Sequence, residues 1–158
     1  MLKYLCNHLK ECMFINYEHI TKLQEEITMK ILIVDDHAET KCFGIIKECQ
    51  KQGIEVEIKK AINPALRRIC YEQQDIDAIV LDMGLGIYKD SYLLEVRGGD
   101  RVLRELLRRK YNIPVLIFST TDSFYKDKCD FVVDQMTEWN VVQEQEKFYS
   151  FLEKIAEQ

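Results

Sequence analysis

From Met29 onward, runs of apolar residues alternate with stripes of apolar positions at helical spacing. Ile31-Leu32-Ile33-Val34, Ala78-Ile79-Val80-Leu81 and Val115-Leu116-Ile117-Phe118 are short and apolar on both faces, which predicts strands buried in the middle of a sheet. Residues 54–59 instead alternate, with Ile54, Val56 and Ile58 against Glu55, Glu57 and Lys59. A period of two with one polar face predicts an edge strand. Phe131-Val132-Val133 reads as a short last strand at the other edge.

Helical stripes lie between the strands. Ala38, Cys42, Ile45, Ile46 and Cys49 form the first, and Gly53 suits the position just past its end. Asn63-Pro64 predicts the start of a second helix, with Ala65, Leu66, Ile69 and Cys70 inward. A third runs over about 100–111, with Val102, Leu103, Leu106 and Leu107 inward. The last covers about 142–157, on Phe148, Phe151, Leu152 and Ile155. The connection 83–98 is long and glycine-bearing and reads as a loop. The connection 120–129 has room for two helical turns at most.

This alternation predicts an α/β fold with a parallel sheet and helices on both faces. Central and edge strands sort by their patterns into the order 2-1-3-4-5, a five-stranded flavodoxin-like three-layer arrangement. Residues 29–158 form this domain. Residues 1–28 differ: Leu2, Leu5, Leu9, Met13, Ile20, Leu23 and Ile27 recur at roughly helical spacing. They predict an N-terminal helical extension, or else an upstream segment to a true start at Met29.

Charge and cysteine usage narrow the function classes. A net charge of −5 argues against a general nucleic-acid surface. Arg101, Arg104, Arg108, Arg109 and Lys110 read as a solvated helix face. The six cysteines form no CxxC pair and have no histidine at metal-ligand spacing, which disfavours zinc. With no signal peptide and no long apolar run, the expectation is a cytoplasmic protein with no membrane association.

Each buried strand ends in an oxygen-bearing side chain: Asp35-Asp36, Asp82 and Ser119-Thr120. Ligands of open parallel sheets bind at the carboxyl ends of strands, and the switch point of this order lies between strands one and three. Three carboxylates meeting there suggest a divalent-cation site beside an aspartate able to act as a nucleophile. The remaining conspicuous residues have plainer readings. His37 is a solvent-facing residue at a helix start. Trp139 anchors the last helix. Tyr88 and Tyr92 fold the inserted loop back on the domain.

In order along the chain, these motifs resemble the receiver domain of two-component response regulators, over about 29–158. The resemblance implies that Asp35 and Asp36 bind Mg²⁺ (or Mn²⁺) and that Asp82 is the phosphoryl acceptor. It also implies that the Gly84 carbonyl completes the metal shell and that Ser119 and Thr120 bind the phosphoryl group. The start Gly99-Asp100-Arg101-Val102 resembles the family too. Three features depart from it. The family lysine after the fifth strand aligns with Asp134, and its proline with Gln135; Lys126, Lys128, Lys89 or Arg97 are candidate stand-ins. Residues 87–97 are an insertion. The stretch from Ser119 to Phe131 is short for a fourth helix.

Two readings follow from the resemblance. One is a stand-alone receiver in phosphorelay signalling, phosphorylated by a sensor histidine kinase or phosphotransfer protein and acting on a protein target. The other is a degenerate receiver that binds protein without phosphorylation. Neither is an enzyme beyond its own phosphorylation and dephosphorylation, neither contacts nucleic acid directly, and a homodimer fits both. A haloacid-dehalogenase-type phosphatase is disfavoured, because it wants an aspartate where Gly84 stands, and no nucleotide-binding phosphate loop is present.

Overall fold

The computed structural model describes residues 29–89, 95–121, 123 and 125–157. The N-terminal segment 1–28 and Tyr92 lie outside the described residues. The strands are β1 Lys30–Val34, β2 Glu55–Lys59, β3 Ala78–Leu81, β4 Ile87–Lys89, β5 Glu95–Arg97, β6 Val115–Phe118 and β7 Val132–Met136. The helices are α1 Ala38–Lys41, α2 Phe43–Lys51, α3 Ile62–Tyr71, α4 Gly98–Arg109 and α5 Val142–Ala156.

Five strands form one parallel sheet in the order β2-β1-β3-β6-β7. Counting only strands of this sheet, that is 2-1-3-4-5, with the fully buried strands inside and the alternating strand at the edge. Successive residues of the central strands point to opposite faces. Leu32, Val34, Ile79, Leu81, Val115 and Ile117 therefore pack with α3 and α4, through Ile62, Ile69, Val102 and Leu106. Ile31, Ile33, Ala78, Val80, Leu116 and Phe118 pack on the opposite face with α1, α2 and α5, through Cys42, Ile45, Phe148 and Phe151.

Local departures from the expected pattern have physical causes. The first stripe is two helices rather than one, with a break at Cys42 (φ −93°, ψ 12°). α3 begins at Ile62 behind an extended Ala61, so Asn63 is inside the helix and is not its cap. Pro64 is tolerated there because the first turn of a helix has no carbonyl partners for its N–H groups. Gly53 follows α2 with φ +70°, the left-handed geometry that favours glycine after a helix. Trp139 anchors α5 as expected, edge-on to Phe148 at 5.5 Å between centroids.

Two expectations about loops and edges need correction. The insertion reads as a loop in the sequence, but its two described arms pair as antiparallel strands, Ile87↔Arg97 through Lys89↔Glu95. Ile87, Tyr88 and Val96 are strand-favouring types, and pairing satisfies backbone groups that a bare loop would leave to water. The last strand is also longer than three residues. It runs through Asp134 and Gln135 to Met136, with a bulge that leaves Val133 as the extra residue between Val132 and Asp134. Among the described residues of the 120–129 connection, Lys126–Lys128 form a short 3₁₀ turn.

Candidate functional site

Backbone hydrogen bonds gather the strand ends. Asp35 N donates to Lys59 O, Asp82 N to Val34 O and Ser119 N to Met136 O. The carboxylates of Asp35 and Asp82 thus sit at the ends of adjacent central strands, across the switch point. Both are buried, at 1% and 6% exposure, and Ser119 beside them is at 2%.

Glycines allow the floor of the site to close. A Cβ on Gly99 would lie 2.7 Å from Asp82 O and 2.7 Å from the Met83 Cα. One on Gly98 would fall 2.0 Å from Leu85 O. The start of α4 is therefore pressed against the loop after Asp82, and Gly98 N donates to both Leu85 O and Gly86 O. Gly84 follows Asp82 at the surface, its missing Cβ 3.2 Å from Asp82 Oδ2.

A cation joins the two buried acids, and the sequence reasoning missed it. Lys41 Nζ donates to Asp82 Oδ1 at 2.6 Å and lies 3.4 Å from Asp35 Oδ2. The same ammonium stands 5.5 Å over the Phe118 ring. Burial works against its charge, but the hydrogen bond to Asp82 and the charges of Asp35 and Asp82 prevail, and its pKa is raised above the ordinary lysine value. A signal for it was present: Lys41 falls three residues after Ala38, on the stripe shared by Ala38, Cys42 and Ile45. A charge on an inward stripe needs a partner.

Asp35 is fully engaged. Its Oδ1 accepts from His37 N at 2.7 Å, and its Oδ2 faces Lys41 and the Cys42 thiol at 3.6 Å. Asp36 is exposed, with its carboxylate 2.9 Å from His37 Nδ1. Asp35, Asp36 and His37 have potential ligand atoms within 4.8 Å of one another; Asp82 is not part of that group. The donor set, two aspartates beside a third at the next strand end, fits a hard cation that favours oxygen.

The other site residues are placed as follows. Ser119 Oγ accepts from Thr121 N at 3.2 Å, and Thr120 is exposed. Asp134 pairs in register with Leu116, three residues before Ser119, and its Oδ1 accepts from Gln135 N. Gln135 instead reaches the strand end: its Nε2 donates to Ser119 O at 2.8 Å, and its Oε1 accepts from Lys126 Nζ at 3.0 Å. Lys126 thus joins the rim through Gln135. Met136, fully buried, pairs with Phe118.

Comparison with solved structures identifies the architecture. A receiver domain of a Francisella response regulator aligns with 80% of this chain and 98% of its own, at 23% identity and a TM-score of 0.54. A CheY-like receiver from Methanospirillum hungatei aligns with 82% and 94%, at 18% identity and a TM-score of 0.57. This is the receiver fold. Response regulator TrrA of Thermotoga maritima, solved in complex with Mg²⁺–BeF, is similar over 78% of this chain and 98% of its own, at 19% identity and a TM-score of 0.54. No family model matches the sequence, and no curated protein does. In this fold Asp35 and Asp82 stand at the ends of β1 and β3, and the ammonium between them comes from α1.

Proposed function

We propose that this protein is a receiver-type module of phosphorelay signalling in which Asp82 accepts a phosphoryl group. The supporting observation is the pair of buried carboxylates, Asp35 and Asp82, meeting at the switch point around one ammonium. In this reading an Asp82 carboxylate oxygen attacks the phosphorus of a phosphodonor. The bond to the donor's leaving group breaks, and an acyl phosphate remains on Asp82. Asp35 and Asp36, with the Gly84 carbonyl, would hold Mg²⁺. When bound, the ion offsets repulsion between the carboxylate and phosphoryl oxygens. Ser119 lies one position beyond the level of Asp82, where its hydroxyl can meet the phosphoryl group. The donor would be a sensor histidine kinase or phosphotransfer protein, and the reader a protein target.

A second reading has its own support. The cation that the family supplies from the last strand is absent at Asp134, Gln135, Met136 and Thr137, and Asp82 is already neutralised by Lys41. A degenerate receiver would keep this pocket as a structural ion pair and act by protein contact alone. Intact-mass spectrometry after incubation with acetyl phosphate and Mg²⁺ separates the two. The first expects one added phosphoryl group, lost in Asp82→Asn. An unmodified wild type would leave the degenerate receiver.

A further inference from the structure

The acidic pocket carries its own positive charge. Lys41 Nζ touches Asp82 Oδ1 and faces Asp35 Oδ2, two carboxylates that the receiver reading offers to a metal. Mg²⁺ binds carboxylate oxygens at about 2.0–2.1 Å. An ion using Asp82 Oδ1 would share that oxygen with an ammonium 2.6 Å away, and the two positive charges repel. Lys41 is also tethered. Its N–H donates to His37 O at 2.9 Å, the Cys42 N–H after it donates to Ala38 O at 2.9 Å, and Ala38 and Cys42 are fully buried. The chain therefore holds the ammonium beside the acids at high effective concentration, whatever the metal content of the solution.

The opposite side of Lys41 is open. It borders a groove of about 640 Å³ between α1, α2 and the start of α5, shared with Phe43, Phe118, Trp139, Glu48 and Glu138. The Lys41 side chain is 32% exposed and is one of the residues lining this space. An ammonium leaving the acids can swing into the groove and stay solvated there, where Glu48 and Glu138 stand with Lys47 and Lys51.

We propose that Lys41 is a built-in counter-ion that competes with divalent cations for Asp35 and Asp82, so that metal binding displaces it from the acids. The resting pocket is then a metal-free ion pair. The free divalent-cation concentration sets how often Asp82 is released, and each release moves a charge from the pocket to the α1–α2 groove. This deepens the receiver reading and rests on the same pocket, but its test uses no phosphodonor.

The test is Mn²⁺ titration of the full, metal-stripped chain by calorimetry, comparing wild type with Lys41→Gln. At least tenfold tighter binding is expected in Lys41→Gln. Equal or weaker binding overturns the proposal. Since the variant loses an internal ion pair and could fold poorly, a second measurement uses wild type alone. Amine acetylation read by peptide mass spectrometry should find Lys41 several-fold more reactive with saturating Mn²⁺ than without. Reactivity unmoved by saturating metal overturns the proposal independently. Competition at Lys41 without labelling of Asp82 by acetyl phosphate would keep the counter-ion and remove the phosphoryl-accepting reading. Labelling without competition would do the reverse.

Discussion

Gly99 shows how little slack surrounds the site at the scale of single residues. Any side chain there meets backbone on two sides, Asp82 O and the Met83 Cα, both at 2.7 Å. Backbone cannot rotate away as a side-chain tip can. Overpacking of this kind costs about 1–3 kcal/mol. Gly99→Ala should lower stability in urea melts by that amount. The loss should exceed that of Gly53→Ala, where no atom lies within 4 Å and only the positive φ is unfavourable. Asp134 is a second case where placement decides. Read along the sequence, it takes the family lysine's position and would repel a phosphoryl group. The bulge in β7 instead sets it opposite Leu116, two residues short of Met136, which pairs with Phe118. At about 3.3 Å per residue, that is roughly 7 Å down the strand. Asp134→Lys is therefore expected to change acetyl phosphate labelling by less than twofold, whereas Asp82→Asn abolishes it. A large gain in Asp134→Lys would mean that the side chain reaches the pocket after all.

At the scale of elements, the inserted hairpin and the broken first helix are the additions to the plain fold. β4 and β5 pair with each other and not with the main sheet. A two-stranded ribbon is marginal by itself in water. β5 runs straight into α4, however, whose Gly98 N–H is held by Leu85 O and Gly86 O. Hydrogen exchange should therefore find intermediate protection at 87–89 and 95–97, slower than in 120–121 and faster than in β1 and β3. Protection equal to that of β3 would mean the ribbon opens only with the whole domain. The break at Cys42 matters because α1 carries Lys41 and α2 does not. A helix of four residues is positioned by its buried Ala38 and by His37, not by its own length.

For the whole molecule, two buried layers and their titrating groups set the stability. Phe148 is fully buried among Phe151, Trp139 and the sheet. Phe148→Ala should cost about 3–5 kcal/mol. Two thiols in that layer give the fold a pH limit. Burial raises the Cys42 pKa well above the ordinary value of 9.0, with the Asp35 charge adding to it. Burial and the Glu48 charge push Cys49 up to about 12. The unfolded chain loses these protons near pH 9 while the folded chain keeps them. Their contribution is thus fully present below pH 9 and falls as pH rises toward 12. Lys41, with its raised pKa, acts in the same direction above pH 10.5. The urea midpoint should drop between pH 8 and pH 10.5, and the slope should flatten in Cys42→Ala/Cys49→Ala. A midpoint that held or rose over that interval would contradict the burial of these thiols.

Much of this architecture is local information. Runs apolar on both faces fit central strands, the alternating run 54–59 fits an edge strand, and the helical stripes between them point to a layered parallel sheet. The strand order follows from that sorting, and with it the meeting of Asp35, Asp82 and Ser119, because parallel strands place their carboxyl ends together. What pattern reading missed depends on contacts between distant parts of the chain. The hairpin needs two three-residue arms to find each other, and neither is long enough to show a period. The β7 bulge is one residue of slippage against β6, invisible in the strand's own sequence, and it moves Asp134 along the strand. Lys41 is 41 residues from Asp82. A lysine side chain is long and flexible, and its direction is decided by which charges the fold brings within reach. Only the tertiary structure could put that ammonium between the two acids, because the partners it joins come from separate strands.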